Sequence, residues 1–208
     1  MPLILRYMRL SDVQEVVAID RESFSTPWPA RSYNYEIAES THSYMVVLHS
    51  VPDRPGSEGR SLRRLIRGFT GSWETGGTLL AYGGLWKILE EAHISTIATH
   101  LAHRGKGYGE VVLAAMISKA IALEASYVVL EVRVSNTIAQ NLYTKYGFTI
   151  SDVKRNYYRD DNEDAYDMRL DLHTPGIIDN FMDRWARIQA RIPFTDVYTT
   201  VPHPREKR

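Results

Sequence analysis

The chain has 208 residues, 44% of them hydrophobic and 24% charged, which is globular usage rather than the composition of a disordered chain. It contains no cysteine, and this excludes a disulfide scaffold, a zinc–thiolate site and a cysteine nucleophile. Lys+Arg and Asp+Glu number 25 each, so a globally basic nucleic-acid binder is disfavoured, although a local basic patch is not.

Leu3 to Arg6 reads as a short apolar strand. Ser11 to Ser23 follows as a helix: Ser11 offers an N-cap before Asp12, and Val13, Val16, Val17 and Ile19 recur at helical spacing. Pro27 and Pro29 break that helix. Arg31 to Glu39 forms a second short helix, with Tyr33 and Ile37 one turn apart. Ser43 to His49, β-branched and aromatic, is a strand. Val51 to Thr78 differs in composition: it is rich in glycine and proline, and Arg60, Arg63, Arg64 and Arg67 follow with no intervening acid. It reads as a basic insertion. Leu79 to Leu89 and His93 to Thr99, either side of Glu90 and Glu91, form an antiparallel hairpin.

A glycine-rich loop then leads into Val111 to Leu123, where apolar residues at 112, 113, 116, 117, 120, 121 and 123 predict an amphipathic helix. Tyr127 to Val134 is apolar on both faces and reads as a buried central strand. Asn136 to Tyr146 is helical until Gly147 stops it. Phe148 to Asn156 and Ala165 to Leu172 are a final strand pair, joined by the polar loop from Arg159 to Asp164. Beyond His173, the residues Ile177, Ile178, Phe181, Met182, Trp185 and Ile188 recur at helical spacing, with Arg184, Arg187 and Arg191 on the other face. Pro193 ends this helix, and Val201 to Arg208 is expected to be disordered. No uncharged apolar run approaches the ~20 residues of a membrane span. Met1 to Arg6 is too short and too soon charged for a signal peptide, so a cytoplasmic location is expected.

The strongest chemical feature is Arg104-Gly-Lys-Gly-Tyr-Gly109, placed between a strand and a helix. Glycines allow positive φ and close backbone approach. The free N–H groups at the start of the following helix carry partial positive charge, a combination that binds phosphate. The nucleoside-triphosphate loop fails, because Lys106 lies inside the glycines and no Ser or Thr follows. The dinucleotide fingerprint fails on spacing. The pattern [RQ]-x-x-G-x-G fits, with Arg104, Gly107 and Gly109.

That loop resembles the pyrophosphate loop of the GCN5-related N-acetyltransferases, which bind acetyl-coenzyme A. The resemblance extends through Val129 to Phe148, where Glu131, Arg133, Ser135, Asn136, Ala139, Leu142, Tyr143, Gly147 and Phe148 match the family's strand and helix in order and spacing. It covers roughly residues 79–172, with a weaker match back to Leu3. Within the family the chain is most similar to the RimI type, the ribosomal-protein alanine N-acetyltransferases. The features behind this are Leu130 to Asn136, the Arg155-Asn-Tyr-Tyr158 run, Pro27-Trp28, and Glu163 to Ala165.

The resemblance implies an α/β acyl-CoA N-acyltransferase fold: a mixed, mostly antiparallel sheet, two splayed parallel central strands, and helices on both faces. The catalytic domain would span 1–172 with the insertion at 51–78, followed by a C-terminal extension at 173–208. Acetyl-CoA would be the donor, with no metal. Ile97, Ala98 and Thr99 would hold the pantetheine arm through their backbones, and one N–H would steady the oxyanion. Arg104, Gly105, Lys106, Gly107, Tyr108 and Gly109 would take the pyrophosphate. Asn136 would bond the pantetheine or cap the next helix. Glu131 would be the base, through a water; from its residue type alone it would be paired with Arg133 or Lys154. Tyr143 would protonate the leaving thiolate. Trp28, Tyr33, Tyr157 and Tyr158 would wall the acceptor groove, Tyr33 being equally a core residue.

The implied reaction is acetyl transfer to a protein N-terminal α-amine, that of a ribosomal protein beginning with alanine, by direct attack in a ternary complex. The alternatives are another amine (lysine, a polyamine or an amino-sugar) or a non-catalytic acyl-CoA-binding protein. Two features lie outside the family pattern. The insertion is a solvated loop or a contact for ribosomal RNA or an acidic protein surface; nucleic acid is not required. The C-terminal helix could dock on its own core, pair two copies or lie on a membrane; docking on its own core is the default, no membrane partner is expected, and the chain would be a monomer or a homodimer.

Overall fold

The computed structural model describes residues 1–51 and 77–204. Residues 52–76 and 205–208 lie outside the described residues, and with them most of the predicted basic insertion and the end of the tail. The strands are β1 (Leu3–Tyr7), β2 (Ser43–Ser50), β3 (Leu79–Ile88), β4 (Glu91–Thr99), β5 (Tyr127–Arg133), β6 (Thr149–Tyr158), β7 (Glu163–Asp171) and β8 (Thr195–Asp196). The helices are α1 (Val13–Ser23), α2 (Ala30–Ala38), α3 (Tyr108–Ala122), α4 (Thr137–Lys145) and α5 (Ile177–Arg191). Among the described residues the strands form one sheet in the order β6-β7-β5-β4-β3-β2-β1-β8.

Neighbouring strands are antiparallel except β4 with β5 and β1 with β8. The sheet is therefore mixed and mostly antiparallel, as the family resemblance implies. It separates two cores, and the period of two along β2 shows how. Val46 and Leu48 face one cluster, built on α3 and α5; Met45 and Val47 face the other, built on α1 and α2. The central parallel pair sets the site. Strands β4 and β5 pair only at Glu91–Tyr127, Ala92–Val128 and His93–Val129. Next to this, the β3–β4 register shifts between Gly84 and Leu85, leaving Ser95 as an extra residue that bends β4. Beyond His93 the two strands splay, and among the described residues the edge of β4 that faces β5 has no ladder partner.

Several expectations are corrected. Ser11 does not cap α1: it lies inside a 3₁₀ turn, Leu10–Asp12. The Asp12 carboxylate accepts the Arg9 N–H at 2.7 Å and holds the buried Arg6 at 2.7 and 2.9 Å. Helix α3 begins at Tyr108, ahead of its apolar stripe, because Gly107 in the left-handed region turns the chain straight into it. Strand β5 is not apolar on both faces: Val128, Leu130 and Val132 are buried, while Val129, Glu131 and Arg133 point to the opposite, half-buried side. That side is the one the splay opens.

The C-terminal helix docks on the chain's own core. Phe181, Trp185 and Ile188 are buried there, and Trp185 packs against Phe194 with ring centroids 5.7 Å apart. Each such large apolar side chain stabilises the fold by roughly 1.5–3 kcal/mol. The chain then adds β8 beside β1, a two-residue strand too short to leave a periodic signal. Tyr198, fully buried, donates to the Tyr44 carbonyl at 3.0 Å under the Lys119 ammonium. The tail expected to be disordered from Val201 is held for its first residues. The Val201 carbonyl lies 3.4 Å from the Tyr7 hydroxyl, and the His203 ring packs edge-on to Tyr7 and Tyr44. Aromatic contacts supplied by β1 and β2 order it, which the tail's own composition does not reveal. Among the described residues no helix is long and apolar enough to cross a membrane.

Candidate active site

The splay opens onto a cavity of about 590 Å³. Of the residues expected in a site, Trp28, Ile97, Glu131, Asn136, Tyr143, Tyr157 and Tyr158 line it together. Ala98 and Thr99 continue the open edge of β4 toward the glycine loop. The loop itself follows a 3₁₀ turn, Leu101–His103, and returns onto the end of β4: a Cβ on Gly109 would stand 3.0 Å from Thr99 Oγ1. Gly107 has φ +86°, a conformation that costs a side-chain-bearing residue roughly 1–2 kcal/mol. Among the described residues the N–H groups of Tyr108, Gly109 and Glu110 find no acceptor within the chain. They are the orphan donors of a helix start, aimed outward. The Arg104 guanidinium flanks the loop, on the Thr99 carbonyl at 3.2 Å and Ser23 Oγ at 3.1 Å. Lys106 Nζ lies 3.2 Å from His103 Nδ1. An open strand edge ending at unbonded helix N–H groups fits a pantetheine arm and its pyrophosphate.

Asn136 performs the capping role, accepting the Ala139 N–H at 3.1 Å. That cap fixes the start of α4 and so the position of Tyr143 two turns on. Tyr143 is 6% exposed, and burial pushes its phenol far above the ordinary range, with Tyr158 adding to the effect. Among the described residues its hydroxyl makes no hydrogen bond, so it reaches the cavity as a protonated donor with nothing to donate to.

Glu131 is bound on both sides. Its carboxylate takes His93 Nε2 at 2.7 Å and Lys154 Nζ at 2.5 Å. Burial alone would raise its pKa; hydrogen bonds and charge from His93 and Lys154 outweigh that and hold it at about 2. Lys154 also reaches Asp167 at 2.9 Å, the cross-strand neighbour of Glu131. The pairing read from residue type is therefore present with Lys154 and absent with Arg133, which is engaged elsewhere. Arg133 gathers Asp160, Asp161 and Glu163 at 2.8 Å each and donates to Ser25 Oγ at 3.1 Å. Its guanidinium lies 3.9 Å from the Tyr158 ring centroid, within cation–π range. One side chain thus ties the α1–α2 connection to the β6–β7 turn, the two flanks of the cavity.

The Arg155-Asn-Tyr-Tyr run builds a bulge. Asn156 sits at φ +50°, a region asparagine tolerates, and its N–H bonds Asp164 at 2.8 Å, while Arg155 takes the other oxygen of that carboxylate at 2.5 Å. The bulge aims Tyr157 and Tyr158 at the cavity.

Tyr33 does not wall the groove. It is fully buried beneath Trp28, with ring centroids 5.4 Å apart. Its hydroxyl and that of Tyr82 both donate to Asp20, the Tyr33 bond measuring 2.8 Å. The second oxygen of Asp20 accepts the Trp28 N–H at 2.5 Å. Tyr33 and Tyr82 therefore anchor the buried carboxylate that holds Trp28 at the cavity wall. Sequence reasoning missed Asp20, Tyr82 and His93 as site residues. His93 is the last paired rung of β4 before the splay, and only the β4–β5 register brings it to Glu131; no local signal marks it.

A model of the acetyltransferase (GNAT) family matches residues 13–148. The chain is 31% identical over 169 residues to a Bacillus subtilis protein named putative [ribosomal protein bS18]-alanine N-acetyltransferase, covering 81% of this chain and 95% of that one. It is 28% identical over 180 residues to the N-alpha-acetyltransferase RimI of Mycobacterium tuberculosis, covering 84% and 96%. Among solved structures, the ribosomal-protein-S18-alanine N-acetyltransferase from Escherichia coli superposes with a TM-score of 0.63 at 22% identity, covering 84% of this chain and 96% of that one. Arabidopsis thaliana NAA60 in complex with acetyl-CoA gives 0.65 at 13% identity, covering 82% and 98%. These last two likenesses concern the fold.

Proposed function

This chain belongs to the GNAT family of acetyltransferases and is an acetyl-CoA-dependent N-acetyltransferase; on that premise we propose that its acceptor is a protein N-terminal α-amine, that of a ribosomal protein beginning with alanine, modified in the cytoplasm. The observation that carries the reading is one cavity holding both the fixed carboxylate of Glu131 and the unbonded phenol of Tyr143. The relatives named for alanine N-acetyltransfer support the choice of acceptor.

The N–H groups of Tyr108 to Glu110 hold the pyrophosphate, and the open edge from Ile97 to Thr99 holds the pantetheine arm and one N–H for the developing oxyanion. Trp28, Tyr157 and Tyr158 grip the first residues of the acceptor. The α-ammonium, with a pKa of ~7.7–8.0, needs little help to become neutral. Glu131 attracts it and accepts its hydrogen bond through a water, and the proton passes on to solvent rather than resting on so acidic a carboxyl. The amine nitrogen attacks the thioester carbon and releases its second proton to solvent through the water at Glu131, the carbon–sulfur bond breaks, and Tyr143 donates its proton to the departing thiolate and regains one from solvent. No cysteine exists to carry the acetyl group as a thioester, which favours direct transfer. A non-catalytic role leaves the free Tyr143 hydroxyl without a purpose.

The test is purified chain, acetyl-CoA and an alanine-initiated peptide containing one lysine, with its α-amine free or blocked, beside spermidine. Transfer to the free α-amine alone is the expected result. Equal or better transfer to the blocked peptide's lysine or to spermidine would overturn the acceptor assignment.

A further inference from the structure

The C-terminal helix carries more positive charge than its docking requires. Arg184, Arg187 and Arg191 stand at i, i+3 and i+7 along α5, on one stripe beside the apolar face that enters the core. The stripe faces Lys145, at the end of α4, and Glu110, in the first turn of α3. With Ile188 these five side chains line a cavity of about 220 Å³. Glu110 is the sole carboxylate in the lining. It takes Lys145 Nζ on one oxygen and Arg191 Nη2 on the other at 2.7 Å. Burial would raise its pKa, but hydrogen bonds and charge from Lys145 and Arg191 outweigh that and keep it anionic. Among the described residues Arg184 and Arg187 have no ion-pair partner. Four cations thus converge on one carboxylate that two of them already satisfy, an arrangement whose repulsion an incoming anion would relieve.

The cavity adjoins the glycine loop. A Cβ on Gly107 would stand 2.9 Å from Ile192 Cδ1 and 3.3 Å from Arg191 Nη2, so the end of α5 presses against the loop's turn. Glu110 belongs to both places: its N–H is one of the outward donors of α3, and its side chain forms the cavity floor. An anion in this cavity would therefore lie beside a pyrophosphate held at the loop. Coenzyme A carries such a group, a phosphate monoester on the ribose of its ADP end.

We propose that the C-terminal extension completes the donor site: Arg184 and Arg187 bind the 3′-phosphate of the coenzyme directly, and Arg191, held by Glu110, joins that subsite to the loop. The family model ends at residue 148, so these arginines lie outside it. The proposal rests on the reading of the loop as the pyrophosphate site.

The experiment measures dissociation constants for coenzyme A and 3′-dephospho-coenzyme A by calorimetry, with the full chain and with an R184Q/R187Q double variant whose fold is checked by thermal melting. The native chain should bind coenzyme A at least about tenfold more tightly than the dephospho form, as charge-assisted bonds to phosphate require. The double variant should lose that preference by weakening for coenzyme A alone. An unchanged preference, or an equal loss for both compounds, overturns the subsite. So does a double variant that keeps the preference but loses affinity for a short RNA, which would give the arginines to a nucleic-acid backbone. A native chain that binds neither compound refutes the loop reading itself and is distinguishable from all of these.

Discussion

At the proposed donor end of the groove, the loop and the strand edge present backbone: the unpaired edge of β4 and the N–H groups of Tyr108, Gly109 and Glu110, with cationic side chains around them. At the acceptor end they are side chains, each held by others: Glu131 between His93 and Lys154, Arg133 among three carboxylates and a serine, Trp28 on Asp20. A backbone site is fixed by the path of the chain and tolerates most exchanges outside its glycines. A side-chain site is tunable residue by residue, which suits the half of the groove that must tell one acceptor from another.

Three substitutions or measurements bear on that contrast. Tyr143→Phe removes the proposed acid and leaves the backbone of the proposed donor site whole. It should lower kcat by about 10²–10⁴-fold, with coenzyme affinity unchanged by calorimetry. A comparable loss of affinity would mean that Tyr143 belongs to the donor grip. Arg133→Gln unties the two flanks of the acceptor cavity. Steady-state kinetics should show the acceptor KM rising by about 10- to 150-fold, with kcat and the donor KM near native, as expected for a lost charged hydrogen bond worth roughly 1.5–3 kcal/mol. Arg133→Lys should not restore it, because an ammonium cannot span several carboxylates and stack on Tyr158. If the donor KM rises as much, the division between the two ends fails.

The smallest expected effect is a missing one. Glu131, held at about 2, stays ionised throughout the working range. The kcat/KM profile should therefore rise through the α-amine pKa of ~7.7–8.0 and show no limb between about pH 4 and 6. The depressed carboxyl has a stability consequence of the same sign. Its contribution is complete above an ordinary glutamate pKa of ~4.3 and fades as the pH falls toward about 2. An acidic limb near pH 5 that Glu131→Gln abolishes would contradict the ion-pair geometry.

The same contrast explains what could be read from the amino acids alone. The loop from Arg104 to Gly109 was legible because its glycine spacing dictates a backbone path. Asn136 and Tyr143 were legible because a cap fixes the phase of the helix that follows. The acceptor end was legible only where a local run builds a bulge, as at Arg155 to Tyr158. His93, Asp20 and Tyr82 come from separate strands and helices, and their meeting is a property of register across the sheet. Tyr33 misleads for the same reason: an aromatic one turn from an apolar residue looks alike whether its hydroxyl meets a substrate or a buried Asp20. The order of Val201 to His203 is not written in the tail's own composition, because the aromatic rings that hold it belong to β1 and β2.

Direct transfer of the acetyl group requires donor and acceptor to be bound at once. Initial velocities measured over a grid of acetyl-CoA and alanine-initiated peptide concentrations test it most directly. Intersecting double-reciprocal lines are predicted, with no acetylated protein recovered after incubation with acetyl-CoA alone. Parallel lines, together with an acetyl group retained on the chain, would contradict it.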